Sequence, residues 1–297
     1  MINLNDFKKN TYSQYGEDGI LEKIFKELGI EKGLFCEFGA WDGIHLSNTY
    51  ALYEQGWSGV YIEGDKKKFK ELTKNITDPS SKLICHYVQV SGDRSLDNLL
   101  NLSGIFSSHR ALDLLSIDID SDDLSIFKSL KNFRPTVLVI EYNPTIPLDV
   151  EYINPQGENK GNSARSIVNF ASSQKYILIS VTDTNLIFIA AEKKPINIRS
   201  FDLNDVEIFP IIRYFWGYDG TIMFCLNGLV QTQEILSVPW TSAFFHQPIP
   251  KSLRKFNHGC LIKVLHISFS ILNVLLFSMR PFIKKAFALL KKRYISI

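Results

Sequence analysis

Short apolar runs alternate with amphipathic stretches from residue 19 to residue 191. Ile20, Leu21, Ile24, Phe25 and Leu28 recur at helical spacing and predict a helix over 19–28. Residues 34–38, 58–63, 83–90, 112–119 and 136–141 are apolar along most of their length and predict strands. Helices are predicted around 47–55, 66–75, 95–101 and 122–132, in the gaps between those strands. Apolar strands with helices between them imply a parallel sheet covered on both faces. Residues 142–162 are rich in Pro, Asn and Gly, a length that suits a lid or substrate loop. A helix over 164–175 and strands over 176–181 and 186–191 follow, the strands joined as a hairpin across Thr182–Asn185. The fold class predicted is α/β and Rossmann-like: a mostly parallel sheet with an antiparallel terminal hairpin.

Acids punctuate this pattern. Glu37, Glu63, Asp118, Asp120 and Glu141 all fall at the carboxyl ends of predicted strands. Ligands of open parallel sheets bind along that edge. After Glu37 comes a glycine turn with Gly39 and Gly43, then the polar run Ser47, Asn48, Thr49 at a helix start. Glycines admit close backbone approach and helix starts present unpaired N–H groups, a layout suited to a nucleoside cofactor. Glu63 ends the second strand, where a carboxylate accepts hydrogen bonds from a ribose diol. A dinucleotide turn reads G-x-G-x-x-G, but Trp41 stands where its middle glycine would be. A carboxylate at the first strand end also opposes a pyrophosphate and suits a sulfonium and an amino group. The reading favours S-adenosylmethionine (SAM) over NAD.

Charge changes the picture at one end. The 297 residues carry a net charge of +2, yet no Asp or Glu follows Ile235 while ten Lys and Arg do. Removing those ten charges leaves residues 1–234 at −8. Within 258–279, Lys263, His266, Ser270 and Asn273 fall on one helical stripe of an otherwise apolar run. A lysine inside a membrane span costs about 3 kcal/mol, a penalty that an interfacial amphipathic helix avoids. Residues 280–293 add Arg280, Lys284, Lys285, Lys291, Lys292 and Arg293 among Phe, Ile and Leu. Each contacting cation gains about 1 kcal/mol from anionic lipid. Basic amphipathic C-terminal helices on a membrane surface are therefore expected over 251–297; packing on the domain, a homo-oligomer contact and a true span are the alternatives. Nucleic acid is not an expected partner, because the basic residues of this stretch are interleaved with aliphatic bulk rather than with exposed stacking aromatics.

Cys36, Cys85, Cys225 and Cys260 lack metal or redox spacing, and residues 1–20 are polar and mixed in charge. A cytoplasmic protein, working at the inner face of the membrane if the tail binds there, is expected. Three segments follow: 1–195 as the cofactor domain, 196–250 as an accessory or substrate segment, and 251–297 as the tail.

Six blocks carry a family resemblance: Ser13-Gln14-Tyr15-Gly16-Glu17-Asp18, Glu37-Phe38-Gly39-Ala40-Trp41-Asp42-Gly43, Ser47-Asn48-Thr49, Gly56-Trp57-Ser58-Gly59 leading to Glu63, Leu115-Ser116-Ile117-Asp118-Ile119-Asp120, and Val139-Ile140-Glu141-Tyr142-Asn143-Pro144. In this order they resemble the FkbM-like methyltransferases, in the branch with an N-terminal Ser-Gln-x-Gly-Glu-Asp signature, across about residues 11–191. The resemblance implies a SAM methyltransferase domain that modifies a hydroxyl of a sugar or glycan. It implies that Glu37, Gly39, Ala40, Asp42 and Gly43 line the methionine part of SAM, with Ser47 and Asn48 at the adjoining helix start. It places Glu63 on the ribose, Ser91 near the adenine, Asp118 at the sulfonium side and Gln14 in a covering segment. Ser121 stands where the family usually has glycine.

Transfer to a hydroxyl needs a proton acceptor. Asp120 is the first candidate, Glu141 the second, and Asn143 is placed to orient the acceptor. Asp120 also fits a helix N-cap. Asp118, Asp120 and Glu141 are the acids that would hold a magnesium ion if one takes part, since oxygen ligands suit it. His45 and His86 read as structural. The rival classes are a nucleotide-binding oxidoreductase and a non-catalytic scaffold recruited to membranes.

Overall fold

The computed structural model describes residues 1–106, 111–119, 121–144, 146, 148–155 and 160–205, the backbone of 212–216, 222–226, 229–232 and 237–239, and residues 264, 268, 271 and 272. The chain divides into two compact units, Met1–Pro144 with Glu151–Ile208, and Thr145–Val150 with Phe209–Ile297.

The first unit alternates strand and helix as the hydrophobic pattern requires. Its elements are α1 (Glu17–Leu28), β1 (Leu34–Phe38), α2 (Tyr50–Glu54), β2 (Ser58–Ile62), α3 (Lys66–Asn75), β3 (Lys82–Ile84), α4 (Leu96–Ser103), β4 (Leu114–Ile117), α5 (Asp123–Ser129), β5 (Val137–Glu141), α6 (Ala164–Ser173), β6 (Tyr176–Val181) and β7 (Asn185–Ala190). The seven strands form one sheet in the order β3-β2-β1-β4-β5-β7-β6. β1 to β5 pair in parallel, and β7 runs antiparallel to both β5 and β6. The predicted α/β class and its closing antiparallel hairpin are both present. Every residue of β1, β4 and β7 is buried, as a sheet covered on both faces demands. Cys36 is one of them, and burial pushes its thiol well above the ordinary range.

Several predicted elements are shorter than the pattern suggests: the strand expected over 112–119 spans Leu114–Ile117 and the helix expected over 122–132 stops at Ser129. The strand expected over 83–90 stops at Ile84, and farther on the Gln89 N–H bonds the Arg94 carbonyl in a local turn. The helix expected from residue 47 begins at Tyr50, because Ser47, Asn48 and Thr49 are drawn onto the Glu37 side chain instead.

In the second unit β8 (Ile212–Trp216), β9 (Ile222–Leu226), β10 (Leu229–Thr232) and β11 (Ser237–Pro239) form an antiparallel sheet in the order β11-β10-β9-β8. The tail predicted over 251–297 lies outside the described residues apart from Val264, Ser268, Ile271 and Leu272, which are helical and exposed. Among the described residues no helix is long and apolar enough to cross a membrane.

Candidate active site

A cleft of about 800 Å³ opens at the carboxyl edge of the parallel strands in the first unit. Phe38 and Gly39 reach it from β1, Ile62, Glu63 and Gly64 from β2, His86–Ser91 from beyond β3, Asp118 and Ile119 from β4, and Glu141 from β5. The volume suits a ligand of nucleoside cofactor size. Asp118, Asp122 and Glu141 come from the β4 and β5 side, whereas Glu63, Lys68, His45 and His86 come from the side of β1, β2 and β3.

Glu63 is held in the cleft wall through both carboxylate oxygens. Its Oε2 accepts from the Trp41 backbone N–H at 2.8 Å and its Oε1 from the Asp65 N–H at 2.6 Å. The residue is 7% exposed. Two backbone donors fix its plane, and a carboxylate keeps a further lone pair on each oxygen for a ligand.

Glu37 is placed differently. It is buried and does not line the cleft. Its oxygens accept from the Ser47 hydroxyl (2.8 Å), the Thr49 hydroxyl (2.7 Å) and the Asn48 N–H (2.8 Å). The polar run therefore satisfies Glu37, and Asn48 passes the network on to the Ser116 hydroxyl at 3.1 Å. Burial pushes the Glu37 carboxyl up to about 7. The glycine turn is likewise spent on the fold. At Gly39 (φ 80°) a Cβ would lie 1.7 Å from the Asp118 carbonyl oxygen. At Gly43 it would meet the Leu72 side chain at 2.6 Å. Asp42 shapes the turn by accepting from the Ile44 and His45 N–H groups, and Ala40 is buried with its N–H on the Ile62 carbonyl. Of this block Phe38, Gly39 and Trp41 reach the cleft, together with His45 and Leu46 just beyond it.

The loop after β4 depends on a residue that the strand-end pattern does not mark. Asp123, 1% exposed, accepts from the Ile119 N–H at 2.9 Å and the Ser121 N–H at 3.0 Å. Ser121 closes the turn through its hydroxyl on the Ile119 carbonyl, so a glycine is not needed there. Asn162 donates to the Ser121 carbonyl and Asn154 to Asp122 Oδ1, tying the loop to the segment after β5. Asp120 itself lies outside the described residues. Burial pushes the Asp123 carboxyl up to about 7, with the negative charge of Asp118 adding to the rise.

A raised carboxyl binds its proton more tightly in the folded state. Stability from Asp123 and Glu37 is therefore greatest below the ordinary carboxylate range and declines as pH rises through about 7. Lowering pH from 8 to 6 should raise the melting temperature of the wild type. In Asp123→Asn that gain should shrink: stability should fall by about 2 kcal/mol at pH 6, where one of the two N–H donors faces an amide NH2, and by less at pH 8, where the carboxylate it replaces is charged and desolvated. Thermal unfolding at the two pH values checks both, and an unchanged pH response in the variant would contradict the assignment.

Gln14 lines the cleft from an N-terminal segment that two buried acids hold in place. Asp18 Oδ2 accepts the Thr11, Tyr12 and Ser13 N–H groups at 2.7–2.8 Å and the Ser13 hydroxyl at 2.9 Å. Glu17, fully buried, accepts from the Tyr15 N–H and from Thr182 and Asn185 of the closing hairpin. The signature block thus fastens the segment to the sheet. At the far side, Asn143 donates its amide to the Lys160 carbonyl at 2.6 Å and does not line the cleft. Ser91 does line it, as do Asp118 and Glu141. Among the described residues no group of three or more His, Cys, Asp or Glu is arranged to hold a metal ion.

Several cleft residues escape the strand-end pattern. Tyr87, 67% exposed, lies so close to Gly64 that a Cβ there would meet its ring at 2.3 Å. Trp41 (φ 48°) and Leu46 (φ 57°) are non-glycine residues in left-handed backbone, a conformation that costs roughly 1–2 kcal/mol each. Lys68 Nζ stands 4.2 Å from the Trp41 ring centroid. Trp41 signals itself in the sequence only by occupying a position where glycine would be relaxed.

No family model matches the sequence, and no curated protein matches it. Solved structures of low identity do. M. capricolum TrmK in complex with S-adenosyl-homocysteine is 11% identical over 57% of this chain and 67% of its own, with a TM-score of 0.34. The CurJ carbon methyltransferase is 12% identical, with a TM-score of 0.38; the match covers 59% of this chain and about half, 53%, of that one. An S-adenosylmethionine-dependent methyltransferase from Clostridium acetobutylicum is 12% identical over 58% of this chain and 89% of its own, with a TM-score of 0.36.

Proposed function

We propose that the protein is a SAM-dependent O-methyltransferase acting on a hydroxyl of a sugar or glycan. Glu63 carries the reading: a carboxylate at the carboxyl end of β2, fixed by two backbone amides, faces a cleft of nucleoside size. A ribose diol is the ligand group that suits such a carboxylate. The block resemblance to FkbM-like methyltransferases supports the sugar acceptor, as does the acidic β4–β5 side, which disfavours anionic acceptors and offers hydrogen-bond acceptors to hydroxyls.

SAM would supply an electrophilic methyl group on a sulfonium. In this reading Glu63 accepts the ribose hydroxyls, and Asp118 offers negative charge along the path to β4. Gln14 covers the cleft from the fastened N-terminal segment. Glu141 accepts the proton that the acceptor hydroxyl loses, with Asp120 the alternative base. Asn143, whose amide is engaged by Lys160, shapes the loop in place of orienting the acceptor directly. Glu37, Ala40, Asp42, Gly43, Ser47 and Asn48 support the turn from behind. Magnesium would need Asp118, Asp120 and Glu141 together, and methyl transfer with and without chelator tests it.

Calorimetric titration with SAM and with S-adenosylhomocysteine tests the function. Heat with both is the expected result; silence with both removes the reading and leaves the scaffold alternative. Enriched absorbance of a bound nicotinamide or flavin in the purified protein would instead favour the oxidoreductase. The tail over 251–297 is assigned to an anionic membrane surface at the cytoplasmic face, where it would bring the site to lipid-linked acceptors. Liposome flotation with and without those residues checks this, and equal recovery would remove it.

A further inference from the structure

We propose that the indole of Trp41 forms a wall of the nucleoside end of the cleft and contacts the bound ribonucleoside through its ring. The inference rests on the methyltransferase reading and adds to it a residue that the strand-end acids do not suggest. Trp41 contributes its backbone N–H to Glu63 Oε2 at 2.8 Å, a service any residue except proline performs. The fold therefore needs an amide at this point, not an indole. The ring is 41% exposed, so core packing does not retain it either.

The backbone makes the choice of residue more telling. At φ 48° a glycine or asparagine would be relaxed, whereas a bulky side chain is strained. Strain of this kind persists where a ligand site requires the side chain. The ring is also held in one orientation. Lys68, from the first turn of α3, places its Nζ 4.2 Å from the ring centroid, and the His45 ring meets it edge-on at 5.3 Å. An oriented aromatic surface beside a carboxylate that takes a diol suits the ring system of a ribonucleoside. Covering that surface would also keep water from the hydrogen bonds to Glu63, which strengthens them. Leu46, at the end of the same turn, repeats the combination of positive φ, 41% exposure and a place in the cleft.

Trp41→Gly and Trp41→Asn test this, since both relax the backbone while removing the ring. Three measurements are needed: the thermal midpoint, S-adenosylhomocysteine affinity by calorimetry, and tryptophan fluorescence on ligand addition. The expected result is an unchanged or raised midpoint in both variants. Affinity should be weaker by about tenfold, the scale of a lost base–aromatic contact. The ligand-induced fluorescence change of the wild type should disappear. A lowered midpoint with undiminished affinity in both variants would make Trp41 structural and overturn the inference. A wild type that gives no heat with S-adenosylhomocysteine would overturn the methyltransferase reading itself, and differs from the case in which wild type and variants bind equally.

Discussion

Glu63→Ala is expected to weaken S-adenosylhomocysteine binding about a hundredfold. Two hydrogen bonds from ribose hydroxyls to a carboxylate contribute about 1.5 kcal/mol or more each, and the factor follows from their sum. Preorganisation makes the loss large, because the Trp41 and Asp65 amides already hold both carboxylate oxygens in the free protein. Their N–H groups lose partners in the variant, but they adjoin an open cleft where water can replace the acceptor. The melting temperature should therefore fall only slightly while calorimetric affinity falls steeply. Full affinity in Glu63→Ala would place the ribose elsewhere and remove the argument for the site.

Gly39→Ala should be the most damaging single substitution in the turn. Its Cβ would stand 1.7 Å from the Asp118 carbonyl oxygen, a backbone atom that cannot rotate aside. β1 and β4 are paired up to Phe38 and Ile117, so relief requires parting two central strands at their ends. Overpacking against backbone, with the left-handed φ of 80° that alanine resists, should cost about 4 kcal/mol. For a chain of this size that corresponds to a melting temperature lower by roughly 10 °C. A midpoint within error of the wild type would show that the two strand ends separate readily. The same substitution at Gly29, which ends α1 with nothing near its missing Cβ, should be far milder.

These two positions mark what was legible. Glu63 could be read as a ligand group because acids at parallel strand ends fall on the binding edge in any doubly wound sheet. Gly39 was legible as a special position, but not for its actual reason. The sequence suggests room for a ligand; the fold uses the room for the Asp118 carbonyl. Glu37 shows the same limit. It ends a strand as Glu63 does, yet three donors from Ser47, Asn48 and Thr49 bury it behind the turn. Strand position fixes which edge an acid occupies, not which way the side chain turns or what satisfies it.

The pattern of apolar runs alone determined the parallel sheet, its antiparallel hairpin and the edge on which a ligand would bind, because burial on both faces leaves a periodicity that each strand carries locally. Only the tertiary structure decided which acids face the cleft, why the Glu17–Asp18 pair is buried, that Asp123 holds the loop after β4 and that Trp41 lines the cleft. Those facts depend on hydrogen bonds and close approaches between residues far apart in the chain, such as Glu17 with Asn185, and no local pattern encodes such partners.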